Sequence, residues 1–70
     1  MNEIVLKLNS NDFFELKLML VVNYNLEYIE CLVVLNNKTN NRSQMRQFDS
    51  NRFHDALSYY AQQEAMFIKA

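Results

Sequence analysis

Three stretches of this chain alternate apolar residues mostly with other apolar residues. Ile4, Leu6 and Leu8 alternate with Val5 and Lys7; Leu16, Leu18, Leu20 and Val22 with Lys17, Met19 and Val21; Ile29, Cys31, Val33 and Leu35 with Glu30, Leu32 and Val34. Successive strand residues point to opposite faces, so each stretch supplies one nearly pure apolar row and a second, half-apolar row. The pattern predicts strands over about 3–9, 13–22 and 27–35, a weaker and more polar strand over about 42–48, and a helix over about 51–69. In that helix Phe53, Ala56, Leu57, Tyr60, Ala61, Phe67 and Ile68 fall on one side at helical spacing. Asp49 and Ser50 offer an N-cap, and Asp55 and Lys69 suit the helix dipole. With no repeat and no linker, the order β-β-β-β-α predicts one α+β domain over residues 1–70. Its architecture is a four-stranded antiparallel meander with the C-terminal helix packed on one face.

Register follows from matching faces. Ser10-Asn11-Asp12 reads as the first turn, and setting Leu8 opposite Phe14 pairs Leu6 with Leu16 and Ile4 with Leu18. The same register sets Lys7 opposite Glu15 on the other face, an ion pair worth about 0.2–1 kcal/mol. Two registers, differing by a dipeptide, fit strands two and three across Asn23-Tyr24-Asn25, and both keep the faces unchanged. Asn36 to Asn41 reads as a loop, and the polar fourth strand suits an edge.

One helix covers one face. On the other, Val5, Met19, Val21, Leu32 and Val34 form an apolar centre ringed by Lys7, Glu15, Lys17 and Glu30, the usual anatomy of an interface. Two copies stacked about a two-fold axis is the simplest way to cover it, so a homodimer is expected, with a foreign partner as the alternative. The bland reading is a one-sided sheet with a few scattered surface Val and Met residues.

Size sharpens this expectation. A chain of 70 residues buries only about 60% of its extended surface, so its core is marginal without added support. Cys31 is the only cysteine and His54 the only histidine, which excludes an internal disulfide and a four-ligand zinc site within one chain. Cys31 lies in an apolar row and reads as a buried thiol. Gly and Pro are absent, while Asn occurs ten times and takes over the turn positions, where it tolerates the left-handed conformation. An AT-rich gene, as in many phages and mobile elements, encodes such a composition. Neither a signal peptide nor a membrane-length apolar run is present, which predicts a cytoplasmic protein.

The net charge of −1 conceals a basic segment. Lys38, Arg42, Arg46 and Arg52 against Asp49 give residues 38–52 a charge of +3, with Asn and Gln residues between them. This island can meet an acidic protein surface, or grip phosphates and base edges. It is also what a solvated loop and a protected edge strand look like. An overall acidic balance disfavours nucleic acid, which usually selects a basic domain. On the helix side away from the core, Tyr59 and Met66 extend the candidate partner-binding surface. Glu64 falls within the apolar stripe and is expected to reach solvent or a tyrosine hydroxyl. His54 and Asp55 are adjacent on the helix and point about 100° apart, with no nucleophile placed beside them. No phosphate-binding glycine loop exists. Neither enzymatic activity nor a cofactor is expected.

The meander followed by a helix, led in by Arg46-Gln47-Phe48-Asp49-Ser50, resembles small phage-encoded anti-CRISPR proteins, some of which end a sheet in a similar Phe-Asp-Ser step. The resemblance covers residues 28–60 at most. It implies a non-enzymatic inhibitor that binds a bacterial Cas effector complex in the host cytoplasm, often blocking DNA access. Many of those proteins are more acidic, and the basic island departs from DNA mimicry; no functional residue is carried over. The expected function is therefore a protein-interaction module of phage or mobile-element origin. A nucleic-acid-binding accessory or regulatory protein using residues 38–52 is the alternative.

Overall fold

The computed structural model describes residues 2–25 and 27–69. Strands β1 (Asn2–Ser10), β2 (Phe14–Asn23), β3 (Tyr28–Asn37) and β4 (Arg42–Asp49) pair in chain order as one antiparallel sheet. A 3₁₀ turn, Ser50–Arg52, leads into α1 (Phe53–Gln63), which continues through a wide π turn, Glu64–Ile68. The architecture is α+β, a four-stranded meander and one C-terminal helix. Among the described residues, no helix is long and apolar enough to cross a membrane.

The two middle strands carry the core because only they are apolar along their whole length. Leu16 pairs with Leu35, Leu18 with Val33 and Leu20 with Cys31, which fixes the register that the sequence leaves open. Leu16, Leu18, Cys31, Val33, Leu35 and Phe48 face Ala56 and Tyr60 of α1, and all of them are buried. Ala56 has no exposed surface, and its small side chain lets the helix backbone approach the sheet closely. Phe14 and Phe67 close the far end with ring centroids 5.1 Å apart. α1 touches β2, β3 and β4, and the π turn touches β1 and β2, so the helix runs diagonally across the sheet.

β1 departs from the expected register. A β-bulge lies between Val5 and Lys7, and beyond it Lys7 pairs with Leu18, Asn9 with Leu16 and Ser10 with Glu15. Leu8 is therefore not opposite Phe14, and Lys7 is not opposite Glu15. Leu8 turns to the open face, while Lys7 and Asn9 turn toward the helix. The turn imposes the change: Asn11 Oδ1 accepts hydrogen bonds from the Phe13 and Phe14 amides at 2.9 and 2.8 Å, which fixes the loop between Ser10 and Glu15. The bulge then restores Val5 to the face of Met19. Glu15 instead has Lys17 at 4.0 Å along its own strand.

The helix start also differs. Asp49 is still a strand residue, paired with Glu30, and among the described residues no side chain caps α1 or the 3₁₀ turn. Arg52 Nε donates to Asp55 Oδ2 at 2.9 Å across the first turn. Ala61, expected on the buried side, is exposed. Asparagine does replace glycine in the turns. Asn23, Asn37 and Asn40 accept backbone N–H bonds from the residue two positions on, and Asn41 adopts φ 57°. Glu27 adopts φ 55° as well, a conformation that disfavours most non-Gly residues.

The helix-side core dominates stability. Leu18→Ala should cost about 2–5 kcal/mol, much of the roughly 4–10 kcal/mol available to a domain of this size. Ile4→Ala, at a half-exposed edge position, should cost under about 1 kcal/mol. Urea unfolding followed by circular dichroism measures both, and equal losses would contradict this placement of the core.

Candidate functional site

Three surfaces hold the chemistry of this molecule. The first is the open sheet face, where the register groups Val5, Met19, Val21, Leu32 and Val34 as expected. It also adds two residues that the sequence pattern did not single out: the bulge turns Leu8 onto this face, and Met45 pairs with Val34. Met19 and Val21 are already buried by their strand neighbours, whereas Val5, Leu8 and Met45 are 50%, 60% and 64% exposed. The accessible apolar surface therefore lies toward both edges. Glu15, Lys17 and Glu30 rim the face, but Lys7 does not, because the bulge puts it on the helix side. Tyr28 shares the face with Glu30, whose hydrogen bond, and then whose charge, raise the tyrosine pKa.

The second is a polar anchor under the helix end. Lys7 Nζ lies 5.6 Å from the Tyr60 ring centroid, and Asn9 Nδ2 donates to Glu64 Oε2 at 3.0 Å. Lys69 Nζ sits 3.2 Å from Glu64 Oε1. Glu64 thus keeps about 20% of its side chain exposed, and its carboxylate partners are Asn9 and Lys69 rather than a tyrosine hydroxyl. Its pKa is held below the ordinary 4.5, first by the Asn9 hydrogen bond and then by Lys69. Tyr60 is shifted upward by burial and secondarily by the Glu64 charge. Beside this pair, Asn11 Nδ2 donates to the Phe67 and Ile68 carbonyls at 2.8 and 3.3 Å, satisfying groups that every helix end leaves open. Lys38 Nζ donates to the Asn11 carbonyl at 2.8 Å, tying the β3–β4 loop to the same point.

The third surface is a shallow cleft of about 270 Å³ between β4 and α1. Arg46 lies over Tyr59 and Phe48, 4.8 and 5.3 Å from their ring centroids, and those two rings are themselves 5.8 Å apart. Tyr59 is therefore half-buried against the core rather than free on an exposed helix face. Arg52, Asp55, Ser58 and Gln62 complete the lining. The helical spacing of 55, 58, 59 and 62 places these residues on one flank of α1, which is the signal available in the sequence.

Of the five expected partner-binding residues, the structure brings together Arg46, Arg52 and Tyr59. Arg42 lies at the other end of β4, beside a separate cleft bordered by Phe14, Leu35 and Phe67. Lys38 is tied to the β1–β2 turn. The basic segment is thus divided over the molecule. His54 is exposed, and Cys31 is fully buried, with its pKa raised by that burial. Among the described residues, no three His, Cys, Asp or Glu side chains cluster to hold a metal. No known protein family, curated protein or solved structure matches this chain. Its class is defined by architecture: an open antiparallel meander capped by a single helix.

Two measurements check these placements. The folded-state pKa of Glu64 is depressed, so its contribution is present above the unfolded value and lost as pH falls through the folded one. Glu64→Gln should therefore lose less stability than the wild type on going from neutral to about pH 3; parallel losses in urea midpoint would contradict the anchor. The Cys31 thiol should resist a water-soluble disulfide reagent in the native protein and react fully in urea. Rapid native labelling would contradict its burial.

Proposed function

We propose that this protein is a small non-enzymatic interaction module that works as a pair of copies joined through the open sheet face. Its recognition surface then lies on the flank formed by β4 and α1. The observation that carries this reading is the uncovered apolar set Val5, Leu8, Leu32, Val34 and Met45, drawn from β1, β3 and β4 around the buried Met19 and Val21 of β2. The face measures about 19 Å by about 30 Å at ordinary strand spacing and rise. Two such faces bury roughly 1,100 Å², near the lower end of specific interfaces at about 1,200 Å². An isologous pair of this size closes on itself and forms in a concentration-dependent way.

The class of partner rests on composition and on the resemblance carried by Arg46 to Ser50. On that basis the proposed role is a phage or mobile-element inhibitor that binds a bacterial defence complex, a CRISPR–Cas effector. A nucleic-acid role has less support. Lys38 is engaged by Asn11 and Arg52 by Asp55, so the four cations form no continuous strip for a phosphate backbone.

Light scattering at high micromolar concentration should give twice the 8.4 kDa chain mass. Val5→Glu and Met45→Glu, both at exposed positions, should return the mass to that of one chain without altering the circular dichroism spectrum. A wild-type protein that stays monomeric sinks the pairing.

A further inference from the structure

We propose that the cleft between β4 and α1 is a seat for a carboxylate of an acidic protein partner, with Arg46 as the residue that grips it. This deepens the interaction-module reading and rests on it, but it does not depend on self-association.

The guanidinium carbon of Arg46 lies 4.8 Å from the Tyr59 ring centroid and 5.3 Å from that of Phe48, two rings inclined 53° to each other. Contact with ring faces uses none of the N–H donors of the guanidinium fork. Among the described residues, no carboxylate forms an ion pair with Arg46, whereas Arg52 and Lys69 each have one. A guanidinium placed beside two rings with no carboxylate on its donors is available to a bidentate acceptor. Ser58 and Gln62 face the same cleft from α1 and supply a hydroxyl and an amide.

The charge of the cleft selects the ligand. Arg46 and Arg52 against Asp55 leave one net positive charge among its lining residues. That suits a single carboxylate with hydrogen-bonding neighbours. A nucleic-acid backbone needs several phosphates neutralised along a track, and the next arginine, Arg42, lies four residues along β4, about 14 Å away. At about 270 Å³ the cleft is also small for a cofactor.

The test is an NMR titration of the full chain, following the Arg46 Nε–H and the Ser58 and Gln62 backbone amides. The probe is a capped tetrapeptide of alternating Glu and Asp, with the Gln/Asn isostere, inorganic phosphate and a thymidine oligonucleotide as comparators. The acidic peptide should shift these signals saturably and the neutral isostere should not. Arg46→Gln should weaken binding at least tenfold. Arg46→Lys keeps the charge but not the fork and should also weaken it, a readout that survives if the Gln variant fails to fold. Arg42→Gln should bind as the wild type does. No shift, unchanged binding in Arg46→Lys, or tighter binding of phosphate or the oligonucleotide at the same signals each overturns the assignment. Sample mass is recorded in parallel, so failure of the carboxylate seat is distinguishable from failure of the pairing.

Discussion

One helix, about 10–12 Å across, must shelter a sheet about 19 Å wide, and most of this structure follows from that mismatch. The helix can seal only the middle strands, so Leu16, Leu18, Cys31 and Val33 are buried while β1 stays exposed along nearly its whole length. Where the helix end reaches β1, apolar contact is replaced by polar contact, with Lys7 on Tyr60 and Asn9 on Glu64. Where the helix flank reaches β4, the seal is an aromatic pair with an arginine laid over it. Each boundary of the covered area has thus acquired a specific interaction, while the opposite sheet face keeps only local pairs such as Glu15 with Lys17 and no covering element among the described residues.

A chain without glycine or proline has to shape its turns by other means. Asparagine side chains imitate a backbone carbonyl and hold the following amides, which closes loops without special backbone freedom. Asn11 goes further, because one side chain orders the first turn, accepts the Phe13 and Phe14 amides and caps the helix end. The π turn belongs to the same joint: Lys69 N–H bonds back five residues to the Glu64 carbonyl at 2.9 Å. Such widened turns occur where a helix must present an end in a particular orientation. Here it sets the Phe67 and Ile68 carbonyls at Asn11 and the Phe67 ring on Phe14.

The strands, their order and the helix are legible in the sequence because periodicity reports faces directly: Leu16-Leu18-Leu20 and Cys31-Val33-Leu35 have no other reading. The register of β1 is not legible, since its apolar residues fill both faces and either assignment buries comparable surface. The deciding factors were the Asn11 turn and the bulge, which periodicity does not carry. The burial of Tyr59 is not legible for a related reason. A helical wheel separates it from Tyr60 by about 100°, but β4 extends past the helix flank, and Phe48 and Arg46 meet Tyr59 from the side. The candidate cleft was therefore visible only as a list of residues, with Arg46, Arg52 and Tyr59 mixed with Lys38 and Arg42.

The bulge beside Leu6 also gives the two rims of the sheet different characters. A chain of molecules could grow by laying the β4 rim of one copy against the β1 rim of the next, and nothing in such head-to-tail addition would stop it. The bulge interrupts the regular spacing of donors and acceptors along β1, and Arg42 and Arg46 place charge along β4, two devices that discourage rim-to-rim joining. Growth without end is thus disfavoured at both rims, whereas the proposed face-to-face pairing would be complete with two copies.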